Sequence, residues 1–458
     1  MTARDERRAF GWRFTAPLLL AAALNPMNSS MLATGLTDIG REFAVSPGAA
    51  AALVSVLYLC SAIANPAVGR LGAVFGARRV FAVGLGIVML GGLVGAFAPS
   101  FGWLVLSRAL IGIGTSAAFP TSMTLVRARA DRAELETPTR TLGLFSIAAQ
   151  VSLVIGLPLG GLLTGLLGWR WLFAVNVPLA VIALVAVLRW VDRDPPRTPR
   201  PPRALLAELD LPGIALFGAT TAGLLLFLVD LESPRWWLLG ATAALGILLI
   251  VWERRSSSPL IDVRFLASAP PLARTYLRQL LTGLAVFTAF YGLSQWMGAT
   301  AGLGAAAIGV ILLPLSVVSV VLARLVSVRG WVRGALIGGA IGLIAAGGML
   351  LLVHAEAPAL VASLVAVAVV YGIAYGLTTV ATQTAMYIQS PADQIGTAAG
   401  LLRTSNYLGA IFSASVIAVT FGDVPTNAGL HAQGWVVAAL GAALLLLTFD
   451  RRLPWRAG

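Results

Sequence analysis

Gly69-Arg70-Leu71-Gly72-Ala73-Val74-Phe75-Gly76-Ala77-Arg78-Arg79 is a short basic stretch set between two long apolar runs. A second such stretch, Ala323-Arg324-Leu325-Val326-Ser327-Val328-Arg329-Gly330-Trp331-Val332-Arg333, stands at a constant offset of 254 residues. At that offset Arg70, Leu71, Val74, Gly76 and Arg79 meet identical residues. Each copy follows the second apolar run of its own set of six. The chain therefore reads as two homologous halves, with further apolar sequence inserted between them.

Composition fixes the solvent of those runs. The chain has 458 residues, 58% hydrophobic and 11% charged, against about 25% charged in an average soluble domain. So few charges cannot cover a water-facing surface, and lipid is the expected solvent. A spanning helix takes roughly 20 apolar residues, so fourteen need about 280 and leave short loops. Apolar runs bounded by Arg, Asp, Pro and Gly supply fourteen candidates. The first six lie near 15–36, 49–68, 80–98, 101–123, 142–164 and 171–188. An inserted pair lies near 211–229 and 236–252. The last six lie near 277–298, 302–322, 335–353, 359–380, 397–419 and 433–449. The first run follows an Arg-rich start like a secretory leader, but it continues through Asn25, Pro26 and Asn28 and is expected to remain as a span.

The basic residues test that arrangement independently. The net charge is +13, and every one of the 32 basic residues is Arg. They are scattered between apolar runs rather than gathered along one face, which excludes a nucleic-acid groove. With the N-terminus inside, only Arg41, Arg170 and Arg235 fall in outer loops, and only Arg108 and Arg403 within spans, with Arg278 at the inner edge of its run counted as cytoplasmic. All others sit on the cytoplasmic side, as the positive-inside rule requires. Both termini are thus expected in the cytoplasm of a multi-pass plasma (inner) membrane protein. The lone Cys60 excludes an intrachain disulfide, and no metal or nucleophile–base spacing appears, so neither cofactor nor enzyme activity is expected.

These features resemble the major facilitator superfamily, and within it the fourteen-helix drug:proton antiporter branch. Gly69 to Arg79 is similar to the family's loop between helices two and three, although Ala73 stands where an acidic residue is usual. Leu104 to Ala118, with Arg108, Gly112 and Gly114, resembles the fourth-helix motif; Gly156-Leu157-Pro158-Leu159-Gly160-Gly161 resembles the fifth-helix antiporter motif with its Gly-Pro step shifted by one. Trp169-Arg170-Trp171-Leu172-Phe173 with Asn176 and Pro178, Asp210-Leu211-Pro212-Gly213, Pro259-Leu260-Ile261-Asp262, and Gln295 with Gly309 and Pro314 fit the same branch in order. The resemblance implies an all-α integral membrane fold of fourteen transmembrane helices. It divides into an N-terminal six-helix bundle over 1–205, an inserted two-helix linker over 206–256 and a C-terminal six-helix bundle over 257–458.

It implies in turn a monomeric alternating-access exporter of small amphipathic molecules, with a small-molecule substrate and protons as the coupling ion. An uptake or uncoupled carrier, or a non-transporting membrane sensor or assembly factor, is the alternative. A site between repeats near the bilayer midplane is the usual arrangement in such folds. Arg108, about 10 Å inside the outer boundary, costs about 2.5–3.5 kcal/mol on insertion scales and so calls for a cavity or partner. Asn25, Asn28 and Ser29 share a helical face and either line a cavity or hydrogen-bond neighbouring helices. Gln150, Gln295, Tyr371 and Asn406 are further candidates for the substrate walls. No Asp or Glu stands in the middle of any candidate span, which leaves Asp38 and Asp230 as peripheral acids for proton coupling alongside Arg108. Gating is expected from Gly69, Arg70, Gly76, Arg78 and Arg79, and from Gly156, Pro158 and Gly160. Arg78 and Arg79 have helix C-terminal carbonyls, acidic side chains or lipid phosphates as possible partners.

Overall fold

The computed structural model describes residues 10–45, 47–134, 139–194, 210–229, 235–257, 259–261, 263–303, 305–355, 359–422, 424–449 and 455–456. Buried in lipid, a backbone must satisfy its polar groups internally, and an apolar chain does so as helix. The long helices are α1 Trp12–Ala33, α2 Pro47–Phe75, α3 Ala77–Ala96, α4 Phe101–Arg132, α5 Thr139–Leu167, α6 Trp171–Trp190 and α7 Leu211–Val229. They continue as α8 Trp236–Arg255, α9 Pro270–Ala299, α10 Ala305–Arg329, α11 Arg333–Leu350, α12 Leu360–Gln389, α13 Ile395–Phe421 and α14 Asn427–Thr448. Eleven helices among the described residues are long and apolar enough to cross a membrane; α1, α5 and α7 are not among them.

The chain forms two compact units. One comprises 1–224, 237–268 and 390–404; the other comprises 225–236, 269–389 and 405–458. In the first unit α1 packs on α5 and α6, α3 on α4 and α6, and α2 on α4. Within the second unit α9 packs on α14, α11 on α12 and α14, and α10 on α12. Shifted by eight helices, the α1–α6, α3–α4, α3–α6 and α2–α4 pairs recur as α9–α14, α11–α12, α11–α14 and α10–α12. The repeat read from the two basic loops is present in the packing.

It reaches down to single backbone groups. Gly76 and Gly330, which stand at the same place in the two copies, both have positive φ, +103° and +63°. A side chain rarely adopts that conformation, so glycine makes the sharp entry into the third helix of each unit. Two residues on, the backbone N–H of Arg78 donates to Asp194 (3.0 Å) and that of Val332 to the Trp455 carbonyl (3.1 Å). Asp194 follows α6 and Trp455 follows α14, so each unit fastens this loop with the segment after its sixth helix.

Close helix approach follows from small residues. On α3 the inward face carries Gly84, Gly91, Gly92 and Gly95 with Phe81, Leu85 and Val88, while Val83, Leu90, Leu93 and Phe97 are exposed. Against lipid, large apolar side chains gain nothing by burial, and small ones let backbones meet. A Cβ on Gly156 would lie 3.0 Å from the Met27 carbonyl, and one on Gly160 2.7 Å from that of Met31, which sets the α1–α5 spacing. The Pro158 side chain lies outside what the structure describes.

Several helices run past the spans read from sequence, α2 to Phe75, α4 to Arg132 and α12 to Gln389 among them, and two extensions take in buried charges. Helix α9 starts at Pro270, not near 277, because Pro270 and Pro271 occupy the first helical positions, where a missing N–H costs nothing. Arg274 and Arg278 therefore join Arg108 and Arg403 inside helices, and Arg278 is fully buried. Helix α8 extends to Arg255 and takes in Glu253, also fully buried.

Candidate functional site

The polar face of α1 is buried against three helices of its own unit. Asn25 donates through Nδ2 to Ser61 Oγ on α2 (3.0 Å) and to Thr115 Oγ1 on α4 (2.9 Å). Ser61 donates onward to the Gly112 carbonyl (3.1 Å), and Ser116 to the same carbonyl (2.6 Å). One turn along, Asn28 and Asn176 exchange amide hydrogen bonds of 2.6 and 3.0 Å, tying α1 to α6. Ser29 Oγ turns back to the Asn25 carbonyl (3.2 Å). The stripe thus holds helices together in this conformation. Asn176, quoted only as part of a motif, proves to be half of its most reciprocal contact.

Arg108 stands on α4 with 1% of its surface exposed. Its Nε donates to the Leu53 carbonyl on α2 (3.2 Å), while Nη2 is buried with no hydrogen-bond partner. No carboxylate pairs with it among the described residues. An uncompensated guanidinium in a span is costly and suits a site that meets negative charge or polar ligand groups. Gln150 is buried on α5.

In the second unit Asn406 on α13 accepts from Gln279 Nε2 on α9 (2.9 Å). Tyr371 is buried in the apolar core of that unit, its hydroxyl without a partner, and Gln295 is exposed. Arg278, which no motif signalled, donates to the Leu447 carbonyl at the end of α14 and to Thr275 Oγ1 (3.3 Å). A cation at a helix C-terminus meets the negative end of its dipole.

The loop residues are fixed by groups the sequence did not single out. Arg78 donates through Nε to the Val187 carbonyl (3.5 Å) and through Nη2 to that of Leu188, near the end of α6. Asp194 accepts the N–H groups of Arg78 and Arg79, each at 3.0 Å, at the positive end of α3. Neighbouring Asp192 accepts from Arg129 (2.8 Å) and Arg132 (3.1 Å). Arg70 is half-buried. Gly69 lets α2 meet the first turns of α13: a Cβ there would lie 2.7 Å from Thr397 Cα, and one on Gly400 2.9 Å from Pro66 Cα. Arg403, on the same stretch of α13, stacks 4.1 Å over Phe119.

The acids are peripheral. Asp38 is half-exposed and pairs with Arg41 at 3.8 Å; Asp230 lies outside the described residues. Glu42, closing the short helix Leu36–Glu42, accepts from Arg170 (2.8 Å) and Trp169 Nε1 (2.7 Å). Hydrogen bonds from Arg170 and then Trp169 hold its carboxyl below the usual carboxylate range.

With membrane-length helices, a doubled six-helix packing and a buried cation on the fourth helix in place, comparison with known proteins settles the family. The Major Facilitator Superfamily model matches residues 18–414. The chain belongs to that superfamily. Its members are carriers, so this is a multi-pass membrane transporter rather than an enzyme. It is 31% identical over 447 residues to the Bacillus subtilis protein named "Uncharacterized MFS-type transporter YwoD", covering 95% of each chain. It is 28% identical over 410 residues to "Multidrug resistance protein Stp" of Mycobacterium tuberculosis, covering 85% of this chain and 72% of that one. The solved structure of the proton:xylose symporter XylE, a member of the superfamily, shares the fold with a TM-score of 0.66 at 15% identity, covering 98% of this chain and 97% of that one.

Proposed function

We propose that this superfamily member is a fourteen-span, alternating-access exporter of small amphipathic molecules in the plasma membrane, with both termini cytoplasmic. The carrying observation is Arg108, buried on α4 without an acidic partner among the described residues, on the same helix as Thr115 of the α1–α2–α4 polar cluster. Export is supported by similarity to the protein named Multidrug resistance protein Stp. The distribution of arginines supports the orientation. Counting α1, α5 and α7 as spans brings the helices to the number the arginine distribution requires.

Asn25, Arg108 and Gln150 are proposed to face substrate as access alternates, with Gln279–Asn406 as a polar contact of the second unit. Asn28 then serves structure through Asn176. Tyr371 and Gln295 are weaker candidates, one being core and the other exposed. The inner gate is proposed to be the bare approach of α2 to the start of α13 at Gly69, steadied by the Arg70–Arg79 loop. Because Arg108 has no carboxylate partner among the described residues, the preferred substrates are anionic or neutral. Proton coupling would fall to peripheral acids such as Asp38 or Asp230. An uncoupled carrier is the second reading, favoured by the lack of a mid-span Asp or Glu among the described helices.

The test is a thermal-shift screen of purified protein with compounds sorted by charge, wild type beside Arg108→Gln. A ligand at 100 times its Kd stabilises by about 2.7 kcal/mol, well within such a screen's reach. Anionic ligands that stabilise wild type and not the variant are expected, followed by their uptake into inside-out vesicles with a pH gradient. Cationic ligands that stabilise both equally overturn the charge argument.

A further inference from the structure

The two motifs that frame the inserted helix pair meet in space. Asp210 precedes α7, and Glu253 lies in the last turn of α8; their exposures are 4% and 1%. Asp210 Oδ1 accepts from Trp252 Nε1 (2.7 Å) and from the Gly213 N–H (3.2 Å), and Oδ2 accepts from the Leu260 N–H (3.0 Å). Glu253 Oε2 accepts from the Ile261 N–H (3.3 Å), and Oε1 is buried with no donor. That bare oxygen faces Asp210. A Cβ on Gly213 would touch Asp210 Oδ2 and lie 2.8 Å from Glu253 Oε1, so the two carboxyl oxygens crowd one small space.

Two ionised carboxylates have no hydrogen to share, so such a contact between buried oxygens is repulsive. Among the described residues no cation offsets it. Arg254 and Arg255 are exposed, Arg264 is exposed and donates to the Ser256 carbonyl (3.1 Å), and no ion pair reaches either acid among the described residues. The donors present are N–H groups, which also disfavours a metal ion.

We propose that Asp210 and Glu253 form a proton-binding site that holds one proton between them. Asp210, with three donors, is the charged member. Glu253 carries the proton on Oε1 and gives it to Asp210 Oδ2. Loss of that proton to water raises the pair from one negative charge to two and sets α7 against α8 where both grip Leu260 and Ile261. Those residues lead into the helices of the second unit, so the proton governs how tightly the insert fastens that segment. Nothing in this depends on substrate or direction of transport.

Infrared difference spectroscopy of the full-length protein in lipid discs, titrated from neutral to alkaline pH, tests it. Wild type is expected to show a buried carboxylic C=O band at neutral pH that disappears on alkalinisation. Glu253→Gln should lack the band, and Asp210→Asn should lose or shift it. Melting temperature should fall in wild type as pH passes through the release of the proton and stay level there in Glu253→Gln. No band in wild type at neutral pH overturns the site, even if neither variant folds. A band unchanged in Asp210→Asn shows an isolated protonated acid and overturns the sharing.

Discussion

Asn28 and Asn176 pair amide to amide, with 1% and 0% of their surfaces exposed; each Nδ2 also donates within its own helix, to Leu24 and to Leu172 and Phe173, but each Oδ1 has no water to fall back on. Removing one leaves the other's Oδ1 unsatisfied at a cost of about 1–3 kcal/mol, whereas replacing both can be nearly neutral. Interhelical polar pairs in membrane proteins average only about 0.6 kcal/mol of coupling, up to about 1.7, because the membrane-inserted unfolded chain finds other partners. Asn28→Leu and Asn176→Leu are each expected to destabilise by about 1–2 kcal/mol, and the double variant by less than their sum. A double-mutant cycle on unfolding in mild detergent reads this; strict additivity would mean the pair is idle. Glu42 gives a pH prediction. Its carboxyl is depressed in the folded state by Arg170 and Trp169, so its contribution is complete above the ordinary carboxylate range and is lost as pH falls through the folded value. Stability on the acid limb should therefore flatten in Glu42→Gln; an unchanged acid limb refutes it. Each of these side chains was visible in the sequence. Their partners were not, because Asn28 and Asn176 are separated by 148 residues and no local period connects them.

At the scale of helices, the places where two backbones touch decide how the elements move. Gly69 meets the start of α13 through backbone atoms, which cannot swing aside as a side chain can. Gly69→Val should force α2 and the first turns of α13 apart. The expected result is a large loss of transport with folding preserved, and faster labelling of a cysteine placed on that stretch of α13, in a Cys60→Ala background. Labelling equal to the parent would show that the approach is not a gate. The two fastened loops make a matched pair of experiments. Asp194→Asn removes the charge that takes two N–H groups at the start of α3, and Trp455→Ala removes the ring on which Arg333 stacks at 5.0 Å. Amide exchange should rise at Arg78 and Arg79 in the first variant only. Hydropathy marks spans but not the helix extending beyond lipid, which is why α9 gained seven residues. The sequence pointed to the loop's glycine, while Asp194 stayed hidden because its partners are main-chain N–H groups without a side-chain signature.

For the whole molecule, the repeated packing and the insert have different standing. Both units share these helix pairs and the same positive-φ glycine, so the order of the folds was already legible in five identities at one offset. The inserted pair has no counterpart to repeat. Its second helix is the least buried of the membrane-length helices, 11% over its window, with Trp236, Trp237, Ile247, Leu248, Ile250 and Val251 exposed. Such a surface fits lipid, and the pair's buried carboxyl groups meet at one end, around Asp210, Trp252 and Glu253. The sequence reading quoted Asp210 only within a motif and passed over Glu253, because each sat just beyond an apolar run and their meeting depends on the fold. A pair that faces lipid and is fastened at one end should matter for assembly more than for choosing substrate. Replacing 206–256 with a flexible linker should lower yield and melting temperature, while any variant that still folds should retain the parent's ranking of ligands in the thermal-shift screen. A shortened protein of parental stability with a changed ligand ranking would place the inserted helices on the substrate path, and would move the search for selectivity away from Arg108.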